Sequence, residues 1–249
     1  MPARPTGLTK GRYCARLADS AGDIQAAQAL RYRCFVDARG GGLDGDPFDA
    51  ACQHVLVEDR KSGALVCCFR LLPLENGACI GKSYSAQYYD LSGLRNFTGP
   101  MVELGRFCIA PDVHDPDILR VAWGAITRFV DDDGVEMLFG CSSFQGTDAA
   151  VYLDAFAMLK ERHLAPKRWL PQIKAPNVVR FAQKLRAAPD RRQAQLGMPP
   201  LLRTYLLMGG WVSDHAVVDT DLNTLHVFTG LEIKAVPPGR ARLLRAVAG

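Results

Sequence analysis

Between a helix predicted over Asp19–Phe35 and another over Ile118–Val130, the sequence carries three strand-like runs with no helix separating them: His54–Glu58, Ala64–Leu72 and Met101–Ile109. Lys61-Ser62-Gly63 joins the first two as a hairpin turn. A doubly wound parallel sheet needs a crossover helix between nearly every pair of strands, so this order excludes it and selects a mixed α/β (α+β) architecture. The helices are read from apolar spacing: Ile24, Ala27, Leu30 and Cys34 in the first, Leu119, Ala122, Trp123, Ile126 and Phe129 in the second. Tyr13–Leu17, Glu136–Ser142 and Leu225–Ile233 read as further strands, Ala149–Arg162 and Val178–Ala187 as helices, and Pro166–Ala175 as irregular.

With 249 residues and 48% hydrophobic content, the chain can bury one core without a disulfide or metal staple. It is therefore expected to form a single domain over 1–249, with 160–249 a basic C-terminal portion. The eight cysteines include no C-x-x-C pair, and several lie in apolar runs such as Leu65-Val66-Cys67-Cys68-Phe69, so they are expected to be free thiols, with no metal. The N-terminus lacks an apolar signal region and no stretch is long enough to span a membrane, so the chain is expected to be cytoplasmic. Gly40-Gly41-Gly42, which opens a G-x-G-x-x-G pattern ending at Gly45, follows a helix rather than a strand, which argues against a phosphate-cradling loop, and the G-x-x-x-x-G-K-[ST] fingerprint is absent.

Charge is sorted into blocks although the net charge is only +4. Residues 37–59 hold six acids against Arg39, and residues 160–192 hold ten bases against Glu161 and Asp190. The basic block reads either as a solvated face balancing the acidic one or as a surface for an acidic partner. Aromatics are not interleaved with the bases, which argues against nucleic acid.

Ionisable residues also interrupt strand-like apolar runs. Arg70 stands in Phe69-Arg70-Leu71-Leu72-Pro73, Glu103 and Arg106 in Glu103-Leu104-Gly105-Arg106-Phe107, and Asp46 and Asp49 follow the Gly40-Gly41-Gly42 break. Charges in strands must be paired, so one reading is an internal ion network. The other is a frame for a small zwitterion, the acids receiving ammonium groups and an arginine a carboxylate. Three residues apart, Glu103 and Arg106 would face opposite sides of a regular strand unless a bulge at Gly105 re-aims one.

These residues carry a resemblance. Arg31-x-x-Cys34-Phe35, Asp46-x-Phe48-Asp49, Phe69-Arg70-Leu71-Leu72-Pro73 and Glu103-x-x-Arg106-Phe107 resemble the ordered signature of the acyl-homoserine-lactone synthases, acyltransferases of the GNAT-like superfamily. Cys52-Gln53-His54-Val55-Leu56-Val57, Gly140-Cys141-Ser142-Ser143-Phe144, Pro199-Pro200-Leu201-Leu202-Arg203-Thr204-Tyr205, Asp219-x-Asp221-Leu222-Asn223-Thr224 and Phe228 are similar instead to the bacterial ornithine N-acyltransferases of ornithine-lipid synthesis. This second resemblance spans nearly the whole chain.

It implies a GNAT-like fold, a mixed central sheet flanked by helices with a C-terminal extension. It also implies transfer of a 3-hydroxy fatty acyl group from acyl carrier protein to the α-amine of L-ornithine. No cofactor is expected beyond the phosphopantetheine thioester as co-substrate, and the turn after Ile109-Ala110-Pro111-Asp112 lacks the Arg/Gln-x-x-Gly-x-Gly/Ala loop of coenzyme A-dependent relatives. The basic block would meet the acidic carrier protein or the anionic inner face of the membrane. Glu103 is the first candidate for general base and His54 the second; a lone histidine in an apolar strand also reads as structural. Arg31, Phe35, Asp46, Asp49, Arg70, Arg106, Ser142 and Ser143 are the expected substrate-binding residues. Asp46 and Asp49 would hold the distal ammonium, and Arg31, Arg70 or Arg106 the carboxylate or the phosphopantetheine end. Phe35, Phe107 and Trp123 read as core or as the lining of an acyl tunnel. The alternatives are an autoinducer synthase that lactonises its product and a non-catalytic module that binds a carrier protein or a membrane.

Overall fold

The computed structural model describes residues 7–249, so part of the N-terminal segment read for a leader lies outside the described residues. In chain order the first elements are β1 (Leu8–Lys10), β2 (Tyr13–Leu17), α1 (Ala21–Phe35), β3 (Gln53–Asp59), β4 (Leu65–Leu74), β5 (Tyr89–Asp90), β6 (Met101–Ile109) and α2 (Pro116–Asp132). They are followed by β7 (Met137–Gln145), α3 (Leu153–Arg162), β8 (Gln172–Ile173), β9 (Val178–Val179), α4 (Phe181–Lys184), α5 (Arg191–Gly197) and α6 (Pro200–Leu207). The chain ends with β10 (Trp211–Val212), β11 (Ala216–Asp219), β12 (Thr224–Glu232) and α7 (Pro238–Ala248).

These elements form two compact units interleaved in sequence. The first contains residues 7–73, Leu104–Val135 and Pro238–Gly249. Its strand order is β1-β2-β3-β4-β6. The hairpin expected at Lys61-Ser62-Gly63 joins β3 to β4, with Gly63 at φ +72, a left-handed conformation that an L side chain adopts only with strain. Ser20 caps α1, its side chain accepting the Asp23 N–H, and the helix buries Ala27 and Leu30 against Leu56, Cys68 and Cys108. Asp115 caps α2, which begins at Pro116 and buries Ile118, Val121, Ala122, Ile126 and Phe129 along one stripe. The Arg-rich tail is ordered as α7, tied to α2 by Arg245 and Asp131 at 2.9 Å.

The second unit contains Leu74–Glu103 and Glu136–Pro237. Its sheet order is β6-β7-β12-β11-β9, with β10 also on β12. Strand β6 contributes Met101–Glu103 here, paired parallel with Met137–Phe139, and its remaining residues to the first unit. The antiparallel β7–β12 ladder runs from Thr224↔Gln145 to Glu232↔Met137. Successive side chains alternate between the two faces. Phe144, Leu225 and Val227 take one of them, beneath Phe156, Phe181 and Leu202 of the helices. Glu103, Phe139, Cys141 and Phe228 share the other.

The mixed sheet flanked by helices is as expected. One helix is not: Val178–Ala187 is strand β9 followed by the four-residue α4. Val178 and Val179 are β-branched and pair with Val217 and Ala216 of β11, so a ladder from distant sequence takes the backbone groups that a helix would have used. Ala149–Arg162 also divides, into a 3-10 turn at Ala149–Tyr152 and α3.

Candidate active site

In the first unit, six charged side chains from four segments meet. Arg31 comes from α1, Asp44, Asp46 and Asp49 from the loop and turn before β3, Arg70 from β4 and Arg106 from β6. Arg31 Nε and Nη1 donate to Asp44 and Asp49 at 2.8 and 2.7 Å. Arg70 Nη1 donates to both Asp46 and Asp49 at 2.6 Å, and its Nη2 to Asp46 at 2.8 Å. Arg106 lies 3.1 Å from both Asp44 and Asp46. Three guanidinium groups face three carboxylates, so the cluster is neutral overall, the condition for holding charge out of water. The arginines differ in depth: the side chains of Arg31 and Arg70 are 1% and 4% exposed, whereas Arg106 and Asp46 are 12% and 15% exposed.

Burial pushes the Asp49 carboxyl up, but hydrogen bonds from Arg31 and Gln28 and the charge of Arg31 overcome it and leave it well below the usual carboxylate range. Asp46 is lowered in the same way, burial being outweighed by Arg70 and then by Arg106. Arg70 is raised: burial opposes its charge, and Asp46 and Asp49 more than restore it. All three stay ionised at neutral pH.

Arg106 has φ +52, and this breaks the two-residue alternation of β6 one position beyond Gly105. The irregularity expected near Gly105 is therefore present, and it turns Arg106 onto Asp44 and Asp46. A non-glycine residue in this conformation costs on the order of 1–3 kcal/mol, and the two ion pairs hold it there.

His54 on β3 joins the same cluster, buried, with Nε2 3.1 Å from the Asp49 carbonyl oxygen. A carbonyl only accepts, so Nε2 carries the hydrogen in this contact, and only Nδ1 is left to take up a proton. Phe35 lies against the Leu30, Leu56 and Cys108 core, Phe107 stacks on Phe69 at 5.5 Å, and Trp123 is buried in α2.

In the second unit, Glu103 is 4% exposed and accepts the Tyr84 N–H at 2.7 Å, the Ser85 N–H at 2.8 Å and the Ser85 hydroxyl at 2.5 Å. Two amides and a hydroxyl thus fix both carboxylate oxygens. Ser142 is buried and accepts from the Thr229 hydroxyl at 2.9 Å, while its neighbour Ser143 is exposed opposite His226. The two serines therefore point to opposite faces of β7.

Three contributors escaped the sequence reading. Asp44 bridges Arg31 and Arg106, and its signal was the Asp44-x-Asp46 spacing. Gln28 donates to Asp49 at 2.9 Å, one helical turn before Arg31. Ser85 has no local signal, because only folding brings it to Glu103. The described cysteines are all free; Cys68 and Cys108 lie 3.5 Å apart, and burial and mutual contact push the Cys34, Cys67 and Cys108 thiols up, which keeps them protonated.

A mixed sheet carrying buried carboxylates and guanidinium groups, with residues 30–124 matching the acetyltransferase (GNAT) domain family, defines a GNAT-like acyltransferase. The fold is similar to that of FeeM, an N-acyl amino acid synthase from uncultured soil microbes, with a TM-score of 0.51 and 10% identity over 90% of this chain and 94% of that one. Within this class the chain belongs to the L-ornithine N(alpha)-acyltransferase family. It is 35% identical to the Rhodobacter capsulatus enzyme of that name over 90% of this chain and 91% of the relative, and 29% identical to the Brucella abortus enzyme over 89% and 84%.

Proposed function

We propose that this acyltransferase moves a 3-hydroxy fatty acyl group from the phosphopantetheine thioester of acyl carrier protein to the α-amine of L-ornithine, giving lyso-ornithine lipid. The acceptor rests on one observation, the 35% identity across nearly the full length of the Rhodobacter capsulatus L-ornithine N(alpha)-acyltransferase. Two features support a protein-borne donor. The basic block at 160–192 suits an acidic carrier, raising its encounter rate more than its affinity. The start of α2, where an acidic pyrophosphate would need free N–H groups, instead carries Asp115, which caps it, and Asp117.

In the reaction the neutral amine attacks the thioester carbonyl, the N–C bond forms, the C–S bond breaks and the ammonium proton passes to a base and then to the leaving thiolate. An amine with a peptide-like α-amino pKa is about 10% neutral at pH 7, so a base and precise placement both contribute. Glu103 takes the part of base, directly or through water. No covalent acyl-enzyme is required.

Purified protein incubated with 3-hydroxyacyl carrier protein and a panel of amino acids, followed by mass measurement, tests this reading. An acyl-ornithine mass is expected. A lactone would identify an autoinducer synthase, and no product would leave a binding module. Acyl transfer from coenzyme A at the same kcat/KM would overturn the donor assignment.

A further inference from the structure

Ser85 lies on a 3-10 turn before β5, is 0% exposed and is the hub of a directional hydrogen-bond chain. Its hydroxyl has a single hydrogen, given to Glu103 Oε1 at 2.5 Å. The 3.4 Å contact between Ser85 Oγ and Cys141 Sγ must then be one in which the thiol donates. The chain runs from the half-buried Cys141 on β7, through Ser85, to the carboxylate. Aligned donors polarise one another, and every one of them favours the ionised carboxylate. Among the described residues of this unit, titratable groups near Glu103 include Cys141, Tyr84, whose amide reaches it, Tyr88, hydroxyl to hydroxyl with Tyr84 at 3.3 Å, and Tyr205 of α6. Burial, and then the charge of Glu103, push the Tyr205 hydroxyl up, so it stays neutral.

We propose that Ser85 is a positioning residue for acyl transfer: with the Tyr84 and Ser85 amides it aims the Glu103 carboxylate and sets the pH below which the enzyme loses activity. This rests on Glu103 as the base. Removing the hydroxyl withdraws a hydrogen bond from a charged group, a change of about 10-fold or more in the balance between its protonation states.

The test is the pH dependence of kcat and kcat/KM for the whole enzyme and the variants Ser85→Ala, Cys141→Ala and Glu103→Gln, with thermal unfolding of each. Ser85→Ala is expected to lower kcat by about 10-fold, change the ornithine KM by less than about 2-fold and move the acidic limb of kcat/KM up by about one pH unit. Cys141→Ala, which leaves the turn intact, is expected to move the limb the same way by about 2-fold in relative rate at the acidic end. A folded Ser85→Ala enzyme with a wild-type limb overturns the proposal. If Ser85→Ala does not fold, an unmoved limb in Cys141→Ala overturns it instead. Wild-type turnover in Glu103→Gln would remove the base assignment itself, whereas an inactive Glu103→Gln beside an unmoved Ser85→Ala limb removes only the role of Ser85.

Discussion

Asp49→Asn removes one negative charge from a cluster in which three carboxylates balance three guanidinium groups, while keeping the shape of the side chain. Asp49 lies 2.7 Å from Arg31 and 2.6 Å from Arg70, whose side chains are only 1% and 4% exposed. A unit pair about 4 Å between charge centres is worth about 4 kcal/mol at an effective dielectric of about 20. The variant leaves a net buried positive charge, and breaking a buried pair by removing one partner costs about 3–5 kcal/mol. Asp131→Asn is the control: it breaks the pair with Arg245, whose members are 38% and 60% exposed, and such surface pairs are worth about 0–1 kcal/mol. Urea unfolding reads the difference. With a slope of about 3 kcal/mol/M, the Asp49→Asn midpoint should fall by roughly 1–1.7 M and the Asp131→Asn midpoint by less than about 0.3 M. Equal midpoints for the two variants would refute the reasoning that this cluster is held as a balanced, water-excluded unit.

Four further outcomes are expected. Glu103→Gln should lower kcat by about 10² or more, as loss of a general base would, and lower the unfolding midpoint modestly, because its amide NH2 leaves one buried donor without an acceptor while the enzyme stays folded; wild-type turnover would exclude the base role. Burial, and then His215, hold His226 at about 4 against an ordinary 6.5, so the unfolded chain binds the extra proton as pH falls between those values. Stability present above pH 6.5 should therefore decline toward pH 4 by about 3 kcal/mol, and His226→Gln should flatten this slope. Asp46 and Asp49 are lowered, so their contribution is full above about pH 4 and lost only below it, as acid unfolding of Asp49→Asn beside the parent would show. Finally, on the proposed carrier-protein donor, raising salt should increase the KM for acyl carrier protein several-fold while leaving that for ornithine within about 2-fold, because a long-range charge effect acts on the carrier.

Local chemistry determined most of the elements. Lys61-Ser62-Gly63 announces the hairpin, and the apolar spacing of α2 announces its buried face. The charges at Arg70, Glu103 and Arg106 were also legible, since a strand tolerates such residues only where partners await them. The network read for Arg70 and Arg106 with Asp46 and Asp49 is present, but the place of Arg31 and Asp44 in it, and the bonding of Glu103 to Ser85 instead, were not legible. Arg31 and Asp49 are 18 residues apart and Arg106 and Asp46 are 60 apart, and no local propensity encodes such pairings. Tertiary structure decided that Val178 and Val179 join a sheet, because β11 offered them a ladder that outweighed their place in a short helical pattern. It also assigned Glu103 to Ser85, a serine in a loop with no periodicity, and turned Arg106 into the left-handed conformation its ion pairs hold. Periodicity and capping act over a few residues and can be read along a chain. Ion pairing and buried hydrogen bonds are chosen by which groups folding leaves without water, and that is settled only in three dimensions.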